Sequence, residues 1–235
     1  MYKLFIANKN YSSWSLRPWI LMTELNIPFE EILIPFSGKG EFLDHTQQLP
    51  SRKVPTLHDG DLKIWDSLAI TEYIAEKHPA AWPQDSKQRA LARSAASEMH
   101  SGFTSLRNFC SMNCGIRAEM KTIPAGLQRD LNRMSELLTD FLKTSGGPFL
   151  FGKNFTAADA FFAPVAFRQQ TYFLKFDTTT DEYFTRLRNL KGMQAWYQAA
   201  LQETWVDNEH DHNILNHARV TQDFRSINNE KKFKT

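Results

Sequence analysis

Cysteine is scarce in this 235-residue chain, with only Cys110 and Cys114 present. Two thiols make neither a disulfide framework nor a zinc site. Four residues apart on an expected helix, they are neighbours in which strain opposes a disulfide, so they read as small core or surface residues. No apolar stretch approaches the ~20 residues needed to span a bilayer. The start, Met1-Tyr-Lys-Leu-Phe-Ile-Ala-Asn8, lacks the apolar run and small-residue cleavage site of a secretory leader, so a cytoplasmic location is expected. An excess of one charge is also missing. With 28 Lys+Arg against 26 Asp+Glu, nothing points to nucleic acid or an anionic membrane as partner. Asp207-Asn-Glu-His-Asp-His212 with His217 is the only metal-like cluster; it has no recognisable ligand frame, and no metal is expected.

What is present is a globular composition, 42% hydrophobic and 23% charged, in a chain long enough for two small domains. Lys3–Ala7 reads as a buried strand, Leu16–Leu25 as a helix with Pro18 near its first turn, and Phe29–Ile34 as a second strand. A polar helical segment is expected around Gly40–Gln48. Thr56–His58 and Leu62–Trp65 form a hairpin across Asp59-Gly-Asp61, and Ser67–Lys77 is a helix. A right-handed β-α-β crossover makes the first two strands parallel, and the hairpin extends the sheet antiparallel. This order, βαβαββα, is thioredoxin-like.

Two prolines in His78-Pro-Ala-Ala-Trp-Pro83 stop the last helix and begin a linker. From Asp85 the pattern is helical: Gln88–Ser111, Leu127–Thr144, Thr156–Leu174, Tyr183–Leu190 and Lys191–Glu203. The expected architecture is thus a thioredoxin-like α/β domain over 1–78, a linker over 79–86, an all-α domain over 87–218 and a polar tail over 219–235.

Three segments carry chemistry: Tyr11-Ser-Ser-Trp-Ser-Leu-Arg17, Lys53-Val-Pro-Thr-Leu57 and Ile64-Trp-Asp-Ser-Leu68. With Thr156 and Asp159, placed as a helix capping box, they resemble the glutathione transferases over roughly residues 1–205. The first turn is most similar to the Ser-Ser-Cys-Ser turn of the zeta class, which includes maleylacetoacetate isomerase, with Trp14 where that class has cysteine. The resemblance implies glutathione as substrate or cofactor, Ser12 and Ser13 as catalytic hydroxyls, and glutathione contacts from Trp14, Arg52, Lys53, Val54, Pro55, Asp66 and Ser67. It also implies a homodimer. The implied function is conjugation of glutathione to an electrophilic small molecule, a detoxification chemistry. The alternatives are glutathione-dependent cis-trans isomerisation of a maleyl-type acid, or glutathione binding without turnover.

Physical chemistry supports the separate tasks. Lowering a thiol pKa from ~8.5 by about two units requires roughly 2.7 kcal/mol in favour of the thiolate. One hydroxyl hydrogen bond to an anion supplies about 1.5–3 kcal/mol, and a helix N-terminus ~0.3–1 more. Ser12 is favoured as the donor by the resemblance, with Ser13 close behind; both also suit a helix cap. A cis Val54–Pro55 bond would turn the backbone of Val54 outward to pair with an extended peptide. Asp66 and Ser67 open a helix, where an N–H and the Ser67 hydroxyl suit an α-carboxylate and Asp66 suits an α-amine. Arg52 or Lys53 suits the glycyl carboxylate.

The acceptor side is expected on the helix from Gln88, where Met99, Phe103, Leu106 and Cys110 form an apolar stripe and His100, Thr104, Arg107 and Ser111 the next. His100, Phe103, Thr104 and Arg107 are the candidate acceptor-site residues, for a hydrophobic or acidic electrophile.

Overall fold

In a computed structural model, residues 1–36, 42, 45 and 47–226 are described; most of the helical segment expected around Gly40–Gln48, and residues 227–235, lie outside them. The first sheet is built from β1 (Tyr2–Ile6), β2 (Phe29–Leu33), β3 (Thr56–Asp59) and β4 (Leu62–Trp65) in the order β2-β1-β3-β4. β1 runs parallel to β2 and antiparallel to β3. The two-residue turn from β3 to β4 places Gly60 at φ +61°, a conformation that glycine adopts without a Cβ penalty. Helices α1 (Ser13–Glu24) and α2 (Ser67–Lys77) complete this domain. The inward residues Leu4, Ile6, Leu16, Ile20, Leu57, Ile70 and Ile74 are fully buried, the alternation and 3.6-residue spacing that select these elements.

A 3₁₀ turn at Pro79–Ala81 leads to α3 (Ser86–Ser101), α4 (Thr104–Phe109), α5 (Ala125–Ser145), α6 (Ala157–Tyr172), α7 (Thr178–Arg188), α8 (Lys191–Gln202) and α9 (Asn208–His217). The thioredoxin-like domain followed by a helical domain is therefore the fold. Helix α6 is buried almost throughout, from Ala157 to Gln169, and packs against α1, α3 and α7. It is the post around which the second domain is assembled. Its entry is fixed by Asp159, whose carboxylate accepts from the backbone N–H groups of Thr156 and Leu150 and from the hydroxyls of Thr156 and Tyr183. Burial outweighs these bonds and pushes the Asp159 carboxyl up to about 6.

Two departures from the expected pattern bear on the site. The continuous helix expected over Gln88–Ser111 is broken. Gly102 is extended and Phe103 sits at φ +54°, ψ +43°, so α4 starts in a new direction. A Cβ at Gly102 would lie 2.8 Å from the Glu98 carbonyl oxygen, which is why glycine stands at the break. The expected polar tail begins instead as strand β6 (Ala218–Asp223), antiparallel to β5 (Ile116–Met120). β5 alternates apolar and polar residues over only the five positions from Ile116 to Met120, and β6 is exposed along most of its length, so the signal for a ribbon is weak in the sequence.

Candidate active site

Two clefts open along the C-terminal edge of the first sheet. One, of about 300 Å³, is lined by Trp14, Ser51, Lys53, Val54, Pro55, Trp65, Asp66 and Ser67. The other, of about 350 Å³, is lined on one side by Tyr11, Ser12, Ser13, Trp14, Phe36, Phe42, Lys53 and Val54, and on the other by Arg107, Ser111, Met112, Arg168 and His210. They share Trp14, Lys53 and Val54, and each falls at the small end of the range typical of ligand sites. A third hollow, of about 370 Å³, continues outward past Phe36, Arg107, Ser111 and His210 to Asn213 on α9.

The first cleft rests on the opening of α2. Asp66 adopts φ +74°, a region that costs a non-glycine residue ~1–3 kcal/mol and that structures retain where a site needs it. Its Oδ1 accepts from the N–H groups of Leu68 at 2.8 Å and Ala69 at 3.3 Å. Ser67 is buried, and its Oγ has no hydrogen-bond partner among the described residues. The Val54–Pro55 bond is cis.

Trp14 forms the partition between the clefts. The Arg17 guanidinium stacks on it at 4.2 Å and on Phe161 at 4.9 Å, and Arg107 stands 4.9 Å from the same indole. Arg17 is fully buried, and none of its three side-chain nitrogens has a hydrogen-bond partner among the described residues. Burial, with Arg107 and Arg168 nearby, pulls its pKa well below the usual arginine range, against the attraction of Asp66. Ring contacts therefore replace hydrogen bonds as its main support.

Ser12 caps α1 without a side-chain cap bond. Its Oγ donates to Ser15 Oγ at 2.8 Å, which also accepts from the Ala7 N–H at 3.3 Å. The Ser13 Oγ instead accepts from Arg168 Nη2 at 3.3 Å. The turn that carries both serines is clamped from the second domain. Glu203 accepts from the N–H groups of Lys9 at 2.5 Å and Asn10 at 3.1 Å, and Cys114 donates its N–H to the Asn10 carbonyl. Arg225, just past β6, donates to the Tyr11 hydroxyl at 2.9 Å and to Asp211. Burial raises the Glu203 carboxyl to about 7, the amide donors opposing it.

The expected acceptor residues are only partly gathered. Arg107 lines the second cleft, held by the carbonyls of Met99 and Gly102. His100 lies instead on the far side of Trp14, its Nε2 3.3 Å from Asp66 Oδ2. Burial, reinforced by Arg17 and Arg107, lowers its pKa from the usual histidine value, although Asp66 opposes this. Phe103 is buried and Thr104 is exposed; neither lines a cleft. The break at Gly102 accounts for this, since it rotates α4 relative to α3 and parts the expected stripe. Lys53 lines both clefts and Arg52 neither.

The residues that sequence reasoning missed are Arg168, Ser15 and His210. Arg168 follows the apolar run Ala157–Phe167 on α6, and an arginine at the end of an all-buried helix is the signal that marks it. His210, assigned above to a metal-like cluster, bonds Asp207 at 3.0 Å and packs against Tyr11 and Phe36. The described residues include no group of three or more potential ligands arranged for a metal ion.

Residues 11–77 match the glutathione S-transferase N-terminal domain, and residues 116–199 match the glutathione S-transferase C-terminal domain. Glutathione S-transferase Z2 of Arabidopsis thaliana is 31% identical over 166 residues, which cover 66% of this chain and 74% of the relative. The chain belongs to the glutathione S-transferase family. It is also similar to the zeta-class glutathione S-transferase of Euphorbia esula, 26% identical over 87% of this chain and 92% of that one, and to rat maleylacetoacetate isomerase, 26% identical over 68% and 74%. Among solved structures, a diazinon-metabolizing glutathione S-transferase of Bombyx mori superposes with a TM-score of 0.68 at 20% identity, covering 85% of this chain and 97% of that one. A glutathione transferase homologue from Burkholderia, with bound glutathione, superposes with a TM-score of 0.65 at 20% identity and the same coverage. At such identity these two establish the fold.

Proposed function

We propose that the joined clefts hold glutathione and that the protein joins it through its sulfur to an electrophilic small molecule. The observation that carries this reading is the meeting of the two clefts at Trp14, Lys53 and Val54, with Asp66 and Ser67 in one and Ser12 and Ser13 in the other. The γ-glutamyl end sits at Asp66 and Ser67, whose unpartnered hydroxyl suits the α-carboxylate. The extended backbone runs along Val54, Lys53 faces the glycyl carboxylate, and the sulfur lies at the start of α1. There the hydroxyls and the helix N-terminus favour the thiolate. The thiol proton leaves to solvent, a carbon–sulfur bond forms at the electrophile, and the leaving group departs with the electron pair of the broken bond.

The wall opposite the serines carries Arg107 and Arg168, which favours an acidic acceptor beside a hydrophobic one. It also supports a second reading, in which the thiolate adds reversibly to the double bond of a maleyl-type acid, rotation follows, and expulsion of the thiolate regenerates glutathione. A cytoplasmic, homodimeric detoxification enzyme is the setting the family resemblance supports; sedimentation gives the oligomeric state. Retention on glutathione resin, followed by assays with a chloronitrobenzene and a maleyl-type acid, tests the reading. Conjugation supports the first form and isomerisation the second, whereas retention without turnover leaves a binding module.

A further inference from the structure

The two serines at the turn differ in what their hydroxyl hydrogens are free to do. Ser15 Oγ already accepts the Ala7 N–H, and Ser12 donates its own hydrogen to that same oxygen at 2.8 Å. The hydrogen of Ser12 is thus spent inside the domain. Ser13 has the opposite polarity. Its partner is a guanidinium, which has five N–H donors and no acceptor, so in the 3.3 Å contact Arg168 Nη2 must donate and Ser13 Oγ must accept. The Ser13 hydrogen cannot point at Arg168 and is left for the cleft that both residues line.

Arg168 is suited to hold this arrangement. It is buried, and its Nε donates to the carbonyl of Cys110 at the end of α4 at 2.8 Å, so the guanidinium plane is fixed between α4, α6 and α1. Its Nη1 has no hydrogen-bond partner among the described residues. Of the ionisable side chains among the described residues, Tyr11, Lys53, Arg107 and His210 share the lining of the cleft, and no described carboxylate does. Asp66 lies across Trp14, Asp207 is bonded to His210, and Asp211 to Arg225. The Cys110 thiol beside Arg168 is pushed up to about 12 by burial and stays neutral; Arg168, brought down to about 10 by burial and by Arg107, stays charged at neutral pH.

We propose that Ser13 is the hydroxyl that donates to the glutathione sulfur, and that Arg168 is a positioning residue that turns this hydroxyl toward the sulfur by occupying its lone pair. The proposal rests on the glutathione reading above. A hydroxyl whose oxygen accepts from a cation is also a better donor, because the charge polarises the O–H bond toward the sulfur. Arg168 thus acts on the thiolate through Ser13.

Ultraviolet titration of the bound thiolate, with calorimetric titration of glutathione alongside, separates this proposal from the reading beneath it. In S13A the pKa of the bound thiol should rise by about one to two pH units, the loss of one hydroxyl bond to an anion, while glutathione affinity stays within about threefold of the wild type. S12A should shift it by less than half as much. R168K and R168Q should each raise it partway. The double variants S13A/R168K and S13A/R168Q should rise no further than S13A, because Arg168 has nothing left to act through. A larger shift in S12A than in S13A, or full additivity in a double variant, overturns the proposal. If one Arg168 variant loses its cooperative melt, the other supplies the cycle. If both do, the Ser12 and Ser13 titrations decide the donor, and retention of the S13A shift in a Ser13→Thr variant, which restores a hydroxyl, counts against it. Loss of glutathione binding by the wild type itself would instead overturn the reading of the clefts.

Discussion

The cleft at Asp66 is assembled from one domain, whereas the cavity at Ser13 takes one wall from each. Every residue around the first lies between Trp14 and Ser67. The second adds Arg107 and Ser111 at α4 and its C-terminal exit, Arg168 on α6 and His210 on α9 to the turn that follows β1. A one-domain cleft is fixed by local geometry: the cap of α2, the backbone around Val54 and the indole of Trp14. A two-domain cavity depends on how the domains are held together. Here the packing of α1 against α6 joins the domains, and the clamps on the turn from Asn8 to Ser13 fix that turn against the second domain.

The largest effect expected from this comparison concerns the clamp. The Glu203 carboxyl, raised from 4.5 to about 7 by burial, favours the fold when protonated. Its contribution is fully present below pH 4.5 and is lost as pH rises through about 7, by up to roughly 3 kcal/mol. Thermal melts of the wild type, taken relative to E203Q, should fall between pH 4.5 and 8; a difference independent of pH would show that Glu203 does not set the strength of the clamp.

Next in size is the one-domain cleft. Replacing Asp66 with alanine removes the cap bonds of α2 and the proposed partner of the α-amine, and should weaken glutathione binding about tenfold or more, since a hydrogen bond to a charge contributes about 1.5–3 kcal/mol. Calorimetry giving an unchanged dissociation constant would move the γ-glutamyl end elsewhere. On the two-domain side, Arg107→Ala should raise KM for an acidic acceptor about tenfold relative to KM for an uncharged one, with glutathione KM changed less. Equal changes for both acceptors would mean that Arg107 supports the wall and not the ligand. Smallest, Arg225→Ala leaves Asp211 and the Tyr11 hydroxyl without their shared cation, and should cost about 1 kcal/mol of stability in denaturant unfolding, because the contact is partly solvated.

The same division explains what was legible in the sequence. The hairpin at Gly60, the cap at Asp66 and the capping box at Asp159 are each written within a few consecutive residues, and the strand order follows from the sequence of elements and the handedness of the first crossover. The acceptor wall is not written locally. His100 and Arg107 share a stripe only if one helix continues through Gly102, and the extended glycine with left-handed Phe103 ends it. Arg168 meets Ser13 across 155 residues of chain, and no periodicity in either segment announces the other. The β5–β6 ribbon was illegible for a further reason: β5 alternates over only five residues, and β6 is exposed along most of its length, so burial imposes no sustained pattern on it.

In the proposed function, both clefts hold one tripeptide, its γ-glutamyl end at Asp66 and Ser67 and its sulfur at the turn before α1. Calorimetric titration with glutathione and with cysteinylglycine, which keeps the thiol and glycyl end but lacks the γ-glutamyl group, tests this most directly. Glutathione should bind measurably and the dipeptide at least about tenfold more weakly, a difference that narrows in Asp66→Ala. Equal affinity for the two ligands in the wild type would contradict that placement of the tripeptide.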